Sequence, residues 1–154
     1  MPRELSSDLT LITGLYRTTN AAVRELDQRL TRDHDVTFIQ AVTLIAIDSF
    51  DRPQPHLVAE YLSQQSQTVT GVLDRLERAG HVSRRRDLGD RRAVRLELTS
   101  SGRKLVAAME ASLKRHVLDV LRGLDNGRRR TLQSELDHLE TSIRMANPAK
   151  AAAT

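Results

Sequence analysis

Two groups of side chains in this sequence have the chemistry of recognition. The first is a run of short polar residues, Gln65, Ser66, Gln67, Thr68 and Thr70, with Gly71 and then Arg75 behind it. The second is a concentration of arginine: Arg84, Arg85 and Arg86 precede a D-L-G-D turn, and Arg91 and Arg92 follow it. A glutamine amide pairs bidentately with the edge of adenine, while serine or threonine bonds bases or sets a methyl against thymine. A guanidinium grips phosphate or guanine through parallel hydrogen bonds. Asp90, beside Arg91 and Arg92, can hold a neighbouring guanidinium in place by a charge-assisted bond. Plainer roles stand beside these. Gln65 or Ser66 can cap a helix, hydroxyls can bond phosphate without reading sequence, and Arg75 can end in a surface salt bridge. Gly71 costs a helix about 1 kcal/mol relative to alanine; it either permits close approach of DNA or is a tolerated substitution.

The flanking patterns supply the elements that hold these groups. From Ser66, the apolar residues Val69, Val72, Leu73 and Leu76 fall at i, i+3, i+4 and i+7, a helix that stops at Gly80. A hairpin follows, in which Gly89 is expected to supply the positive φ that such a turn often demands. Its second strand alternates Val94, Leu96 and Leu98 inward with Arg95 and Glu97 outward. A short helix with a polar outer face beside a basic ribbon is the plan of a winged helix-turn-helix. The helix lies in a major groove, and a ribbon-tip arginine suits the negative potential of a narrow minor groove. Charge follows the same division. Residues 65–104 carry +5 and the remaining chain −1, so the whole positive excess of this +4 chain lies in the segment that would meet DNA.

The rest of the chain reads as helices. A first long helix, about Leu5 to Leu30, carries Leu5, Leu9, Ile12, Tyr16, Val23, Leu26 and Leu30 in a narrow stripe, fit for a core helix or an arm on a second subunit. T-R-D-H-D-V, residues 31–36, breaks the pattern. A second helix opens at Thr37 with a capping box to Gln40 and is apolar almost all round, as a central core helix should be. The turn D-R-P-Q-P leads to a short third helix, His56 to Leu62, which offers Val58 and Leu62 to the core. After the hairpin, T-S-S offers several N-caps for a long helix with Leu105, Met109, Leu113, Val117, Val120 and Leu124 in one stripe. L-D-N-G ends it. A last helix, about Arg128 to Ala146, has Leu132, Leu136, Leu139, Ile143 and Ala146 in a coiled-coil-like seam.

The fold class is therefore mainly α with a small β-hairpin wing. Expected divisions are an N-terminal dimerisation helix (1–36), a winged helix-turn-helix lobe (37–99), C-terminal dimerisation helices (100–147) and a disordered tail (148–154). The long terminal helices carry more apolar stripe than one small lobe can cover, which points to a two-fold homodimer matched to a palindromic operator.

Composition closes other routes. At 154 residues two large domains do not fit, and the absence of cysteine excludes disulfides, thiolate metal sites and thiol redox switches. No apolar run reaches the length of a membrane span and the N-terminus has no apolar signal core, so a soluble, cytoplasmic protein is expected. Four aromatics, Tyr16, Tyr61, Phe38 and Phe50, are too few for base-stacking on single strands. Without a glycine-rich phosphate loop, an H-E-x-x-H or a nucleophile elbow, no enzyme and no cofactor is expected. The five histidines, His34, His56, His81, His116 and His138, are dispersed, so no metal is expected either.

The stretch L-S-Q-Q-S-Q-T-V-T-G-V-L-D-R-L-E-R-A-G-H-V-S-R, continued by R-R-D-L-G-D-R-R-A-V-R-L-E-L-T-S-S-G-R, resembles the MarR-type winged-helix transcriptional regulators. Asp90-Arg91-Arg92 and the run from Leu98-Thr99 to Gly102 are its more specific parts, and helix order agrees over nearly the whole chain. The resemblance implies a dimer joined by the terminal helices, and a small effector bound between that interface and the DNA-binding lobe, near the first, second and fifth helices. It also implies Arg92 as the minor-groove arginine, Asp90 as its positioner, and a repressor released by its effector. Gly71 stands where the family tends to place a larger, often basic residue, and the missing cysteine sets the chain apart from the peroxide-sensing branch. The alternative is a winged-helix protein-interaction module without specific DNA binding.

Overall fold

The computed structural model describes residues 6–87, 89, 90 and 93–146. Its order is α1 (Ser7–His34), α2 (Phe38–Ser49), α3 (Pro55–Tyr61), α4 (Ser66–Arg78), β1 (Val82–Arg86), β2 (Val94–Leu98), α5 (Ser100–Val120) and α6 (Asn126–Met145). The chain divides into two compact units, Met1–Val117 and Leu118–Thr154.

In the first unit α2 occupies the centre. Thr37 and Gln40 form the reciprocal capping box, and Ala41, Thr43, Leu44, Ala46 and Ile47 are all buried. The one polar member, Thr43, spends its hydroxyl on the Ile39 carbonyl at 2.7 Å, which is how a hydroxyl is accommodated in a core. Around α2 pack Val58 of α3, Leu73 and Leu76 of α4, Leu96 of β2 and Met109 of α5, each almost completely removed from solvent. Pro55 starts α3 in the first turn, where its missing N–H costs nothing.

The hairpin is antiparallel, with Val82 opposite Leu98, Arg84 opposite Leu96 and Arg86 opposite Val94. Leu96 donates its N–H to the Pro53 carbonyl at 2.8 Å, so the α2–α3 connection closes the free edge of β2. Leu96 and Leu98 are buried as the alternation predicts, but Val94 is exposed. Its partner Arg86 is exposed too, because the core ends one residue pair short of the turn.

α1 runs to His34, four residues past the end read from the apolar stripe. The segment T-R-D-H contains no helix breaker. It puts Arg32 and His34 in the last turn, where positive charge suits the helix dipole, and Asp35 then closes the helix in the left-handed conformation at φ 56°. This last turn meets α5. His34 and Ser112 share a hydrogen bond of 2.5 Å, and His116 Nε2 lies 3.0 Å from Asp33. Arg32 first and His116 second hold the Asp33 carboxyl down at about 2. Leu26 and Leu30 are core residues, whereas Leu9, Ile12, Tyr16 and Val23 of the same stripe are exposed, Tyr16 by 71%. Leu5 and the tail 148–154 lie outside the described residues.

Of the proposed caps, Thr99 starts α5: its Oγ1 accepts from Gly102 N at 3.0 Å and donates to the Gly80 carbonyl at 2.6 Å. α5 ends at Val120, four residues before Leu124, and Val120 is exposed. In the second unit Asp125 caps α6 by accepting from Arg128 N at 2.9 Å. Among its described residues α6 buries none, and its seam residues Leu132, Leu136 and Ile143 are all exposed.

Two helical glycines have opposite surroundings. A Cβ on Gly102 would overlap the His81 carbonyl, because α5 leaves the hairpin in close backbone contact. A Cβ on Gly71 would meet nothing. Gly71→Ala is expected to stabilise the fold by about 0.5–1 kcal/mol and Gly102→Ala to destabilise it by about 1–3 kcal/mol. Urea midpoints at unchanged m-value would give both signs.

Candidate nucleic-acid interface

α4 is oriented by its apolar face. Val69, Val72, Leu73 and Leu76 are buried, so the helical period turns Ser66, Gln67, Thr68, Thr70 and Arg75 outward, and all five are exposed. Gly71 is half-buried beside them. Gln65 is the N-cap residue, but its side chain makes no capping bond and no acidic residue sits in the first turn. The first N–H groups of α4 therefore face outward without a side-chain acceptor, an arrangement that suits phosphate. Thr70 donates its hydroxyl to the Ser66 carbonyl at 2.8 Å, which leaves its oxygen as an acceptor. The turn ahead of α4 is tight: Ser63 adopts φ 50°, and Gln64 N reaches the Ala59 carbonyl at 2.9 Å.

The ribbon arginines divide by role. Arg84 turns back onto α4, donating to Asp74 at 2.7 Å and to Glu77 at 2.5 Å. Partial burial works against its charge, but the two carboxylates outweigh that and hold the guanidinium above its ordinary value. This fork ties the first wing strand to α4. Arg85 is exposed and pairs with Glu97 across the ribbon at 2.9 Å. Arg86 is exposed at the outer end of β1. Arg91 and Arg92 lie outside the described residues, and so does any contact of Asp90 with them. Asp90 itself is exposed, and its carbonyl accepts from Ala93 N at 3.0 Å.

The acid that organises the visible base of the turn is Asp87, which sequence reasoning passed over. It is buried, and Oδ1 accepts from Gly89 N at 2.7 Å; Gly89 itself does not take the positive φ expected of it, and the Asp87 carboxylate holds the turn instead. Arg52, from the α2–α3 connection, approaches both of its oxygens at 3.3 and 3.4 Å. The Gly89 N–H above all, and then the Arg52 charge, hold the Asp87 carboxyl below its ordinary value against the opposing effect of burial. An Asp two residues before a Gly is a sequence signal for such an Asx turn. Nothing local announces the partnership with Arg52, 35 residues away.

Comparison with known proteins bears on this arrangement. The sequence model of the MarR family matches residues 34–93, the stretch from the end of α1 through the wing. A curated relative, the HTH-type transcriptional regulator TtmR of Methylorubrum extorquens, is 31% identical over 142 residues, covering 92% of this chain and 70% of that protein. The chain belongs to the MarR family. It is thus a DNA-binding transcriptional regulator of winged-helix type. The fold of Sco3205, a MarR-family regulator of Streptomyces coelicolor solved in complex with DNA, superposes with a TM-score of 0.81 at 19% identity, covering 92% of this chain and 91% of that one. Bordetella bronchiseptica BpsR, whose DNA binding is regulated by 6-hydroxynicotinic acid, matches with a TM-score of 0.76 at 25% identity over 85% of this chain and 98% of its own.

In this MarR-family wing, a carboxyl held below its ordinary value contributes stability above the unfolded carboxylate range, near ~4. That contribution is lost as pH falls through the folded value. Asp87→Asn keeps an acceptor for Gly89 N but removes the charge facing Arg52. The variant is expected to be less stable than wild type at pH 6–7, with the gap closing as pH falls towards 3. Urea denaturation across that range gives the comparison.

Proposed function

We propose that this regulator acts in the cytoplasm as a homodimer on a palindromic operator, each protomer placing the start of α4 in a major groove and its wing over the adjacent minor groove. The observation that carries the reading is the outward polar face of α4, Gln65 to Thr70 with Arg75, set beside a ribbon whose arginines exceed its carboxylates. Gln65, Ser66, Gln67, Thr68, Thr70 and Arg75 make the base and phosphate contacts, with Gly71 allowing close approach. Arg85, Arg86, Arg91 and Arg92 serve the flanking backbone and minor groove, Asp90 positions Arg92, and Arg84 contributes by bracing the wing. Residues 37–99 form the DNA-binding lobe, and 1–36 and 100–147 the dimerisation regions.

The exposed apolar residues of the terminal helices support dimerisation. Leu9, Leu11, Ile12 and Tyr16 of α1, and Leu132, Leu136 and Ile143 of α6, are stripes of the kind that a second copy covers. Repression relieved by a small organic effector suits a two-state protein whose effector prefers the DNA-incompetent arrangement. Thiol oxidation is no part of it, since the sequence has no cysteine. No catalytic activity is proposed.

Reading and backbone contacts separate by experiment. Gln67→Ala is expected to cost about 1–3 kcal/mol on the preferred site and to relax preference at one base pair. Arg91→Ala with Arg92→Ala should weaken binding to all sequences and make the dependence on salt shallower. Fluorescence anisotropy on matched and mutated duplexes at two salt concentrations gives both. A protein-interaction module would show neither effect. Leu136→Glu with Ile143→Glu should yield monomer in analytical ultracentrifugation at concentrations where wild type is dimeric, with near-native far-UV circular dichroism.

A further inference from the structure

The face of the ribbon that turns away from the core carries more positive charge than its neighbours neutralise. The register sets Arg85 directly opposite Arg95, a like-charge cross-strand pair that is unfavourable unless something negative is shared between them. Arg52 reaches the same face from the α2–α3 connection, and Arg86 adjoins it. Together with Asp87 and Glu97 these four arginines line an open cavity of about 480 Å³. Asp87 pairs with Arg52 and also feels the Arg95 charge, and Glu97 pairs with Arg85, so two carboxylates face four guanidinium groups. Arg95 forms no close ion pair among the described residues. Its Nε is buried without a hydrogen-bond partner, and its NH2 makes only a 3.4 Å contact with the Asp51 carbonyl. Four guanidinium groups against two carboxylates leave the cavity with a positive excess, so it favours an anion.

We infer that this outer face of the wing base is a binding site for a phosphate group, held by Arg95 and Arg85 with Arg52 and Arg86 at its rim. Phosphate presents several acceptor oxygens around one centre and so meets guanidinium forks from both strands at once. The site is separate from the polar start of α4 and from the turn of the wing. One source of the group is the backbone of DNA flanking the operator, an option that rests on the DNA-binding reading above; the other is a free phosphorylated compound.

The test uses the full chain and two probes. Inorganic pyrophosphate is titrated by calorimetry against wild type and Arg95→Gln at ionic strength matched with chloride. Duplexes selected for binding are then lengthened by flanking base pairs, and the affinity gained per added segment is compared for the two proteins. Arg85→Gln, at a side chain that is 70% exposed, repeats both measurements should Arg95→Gln fail to fold. A pyrophosphate affinity that drops about ten- to a hundredfold on substitution establishes a site for a free phosphate. It is readable even if the chain recognised no operator. No pyrophosphate binding, but a flank-dependent gain lost in the variant, assigns the site to the DNA backbone. If wild type neither binds pyrophosphate nor gains from flanking DNA, or if the substitutions change neither quantity, the site does not exist.

Discussion

The outward direction of the polar residues at the start of α4 depends on the burial of the opposite side of that helix. Val69, Val72, Leu73 and Leu76 lose nearly all contact with water against α2, α3 and β1. Burial of each such side chain is worth about 1.5–3 kcal/mol, a large fraction of the net stability of a small domain. With 3.6 residues per turn, that burial fixes the rotation of the helix about its axis. The polar residues at its start then have only one direction to point. The same packing sets the wing, because Val82 and Leu96 close the core that α4 opens and Arg84 ties the ribbon to Asp74 and Glu77.

Local patterns made much of this legible. The capping box at Thr37, the i, i+3, i+4, i+7 stripe of α4 and the alternation of β2 are short-range signals, and each corresponds to the element observed. The extra turn of α1 was not legible, because T-R-D-H interrupts the apolar stripe without interrupting the helix; exposure and helicity are separate properties. Val94 follows the alternation but sits beyond the end of the core, a limit set by tertiary packing alone. Tertiary ion pairs are hidden for the same reason. Arg84 looks like its arginine neighbours until α4 is seen to offer it two carboxylates, and the Arg52–Asp87 pair joins residues that no periodicity connects.

The terminal helices show the converse. α1 changes character along its length, from the core residues Leu26 and Leu30 to an exposed apolar half, and α6 is apolar on one stripe yet fully buries none of its described residues. A single chain does not complete these surfaces. A two-fold partner would complete them and would at the same time set the spacing of two reading helices, so that stability of the assembly and register on DNA become one constraint.

Selection of binding duplexes from random-sequence DNA by the full chain tests most directly whether the protein reads a two-fold site by sequence. Enrichment of an inverted repeat is expected, its half-sites about one helical turn apart, ~10 base pairs centre to centre. Retention of DNA without any enriched sequence, at salt where nonspecific complexes still form, would contradict such reading.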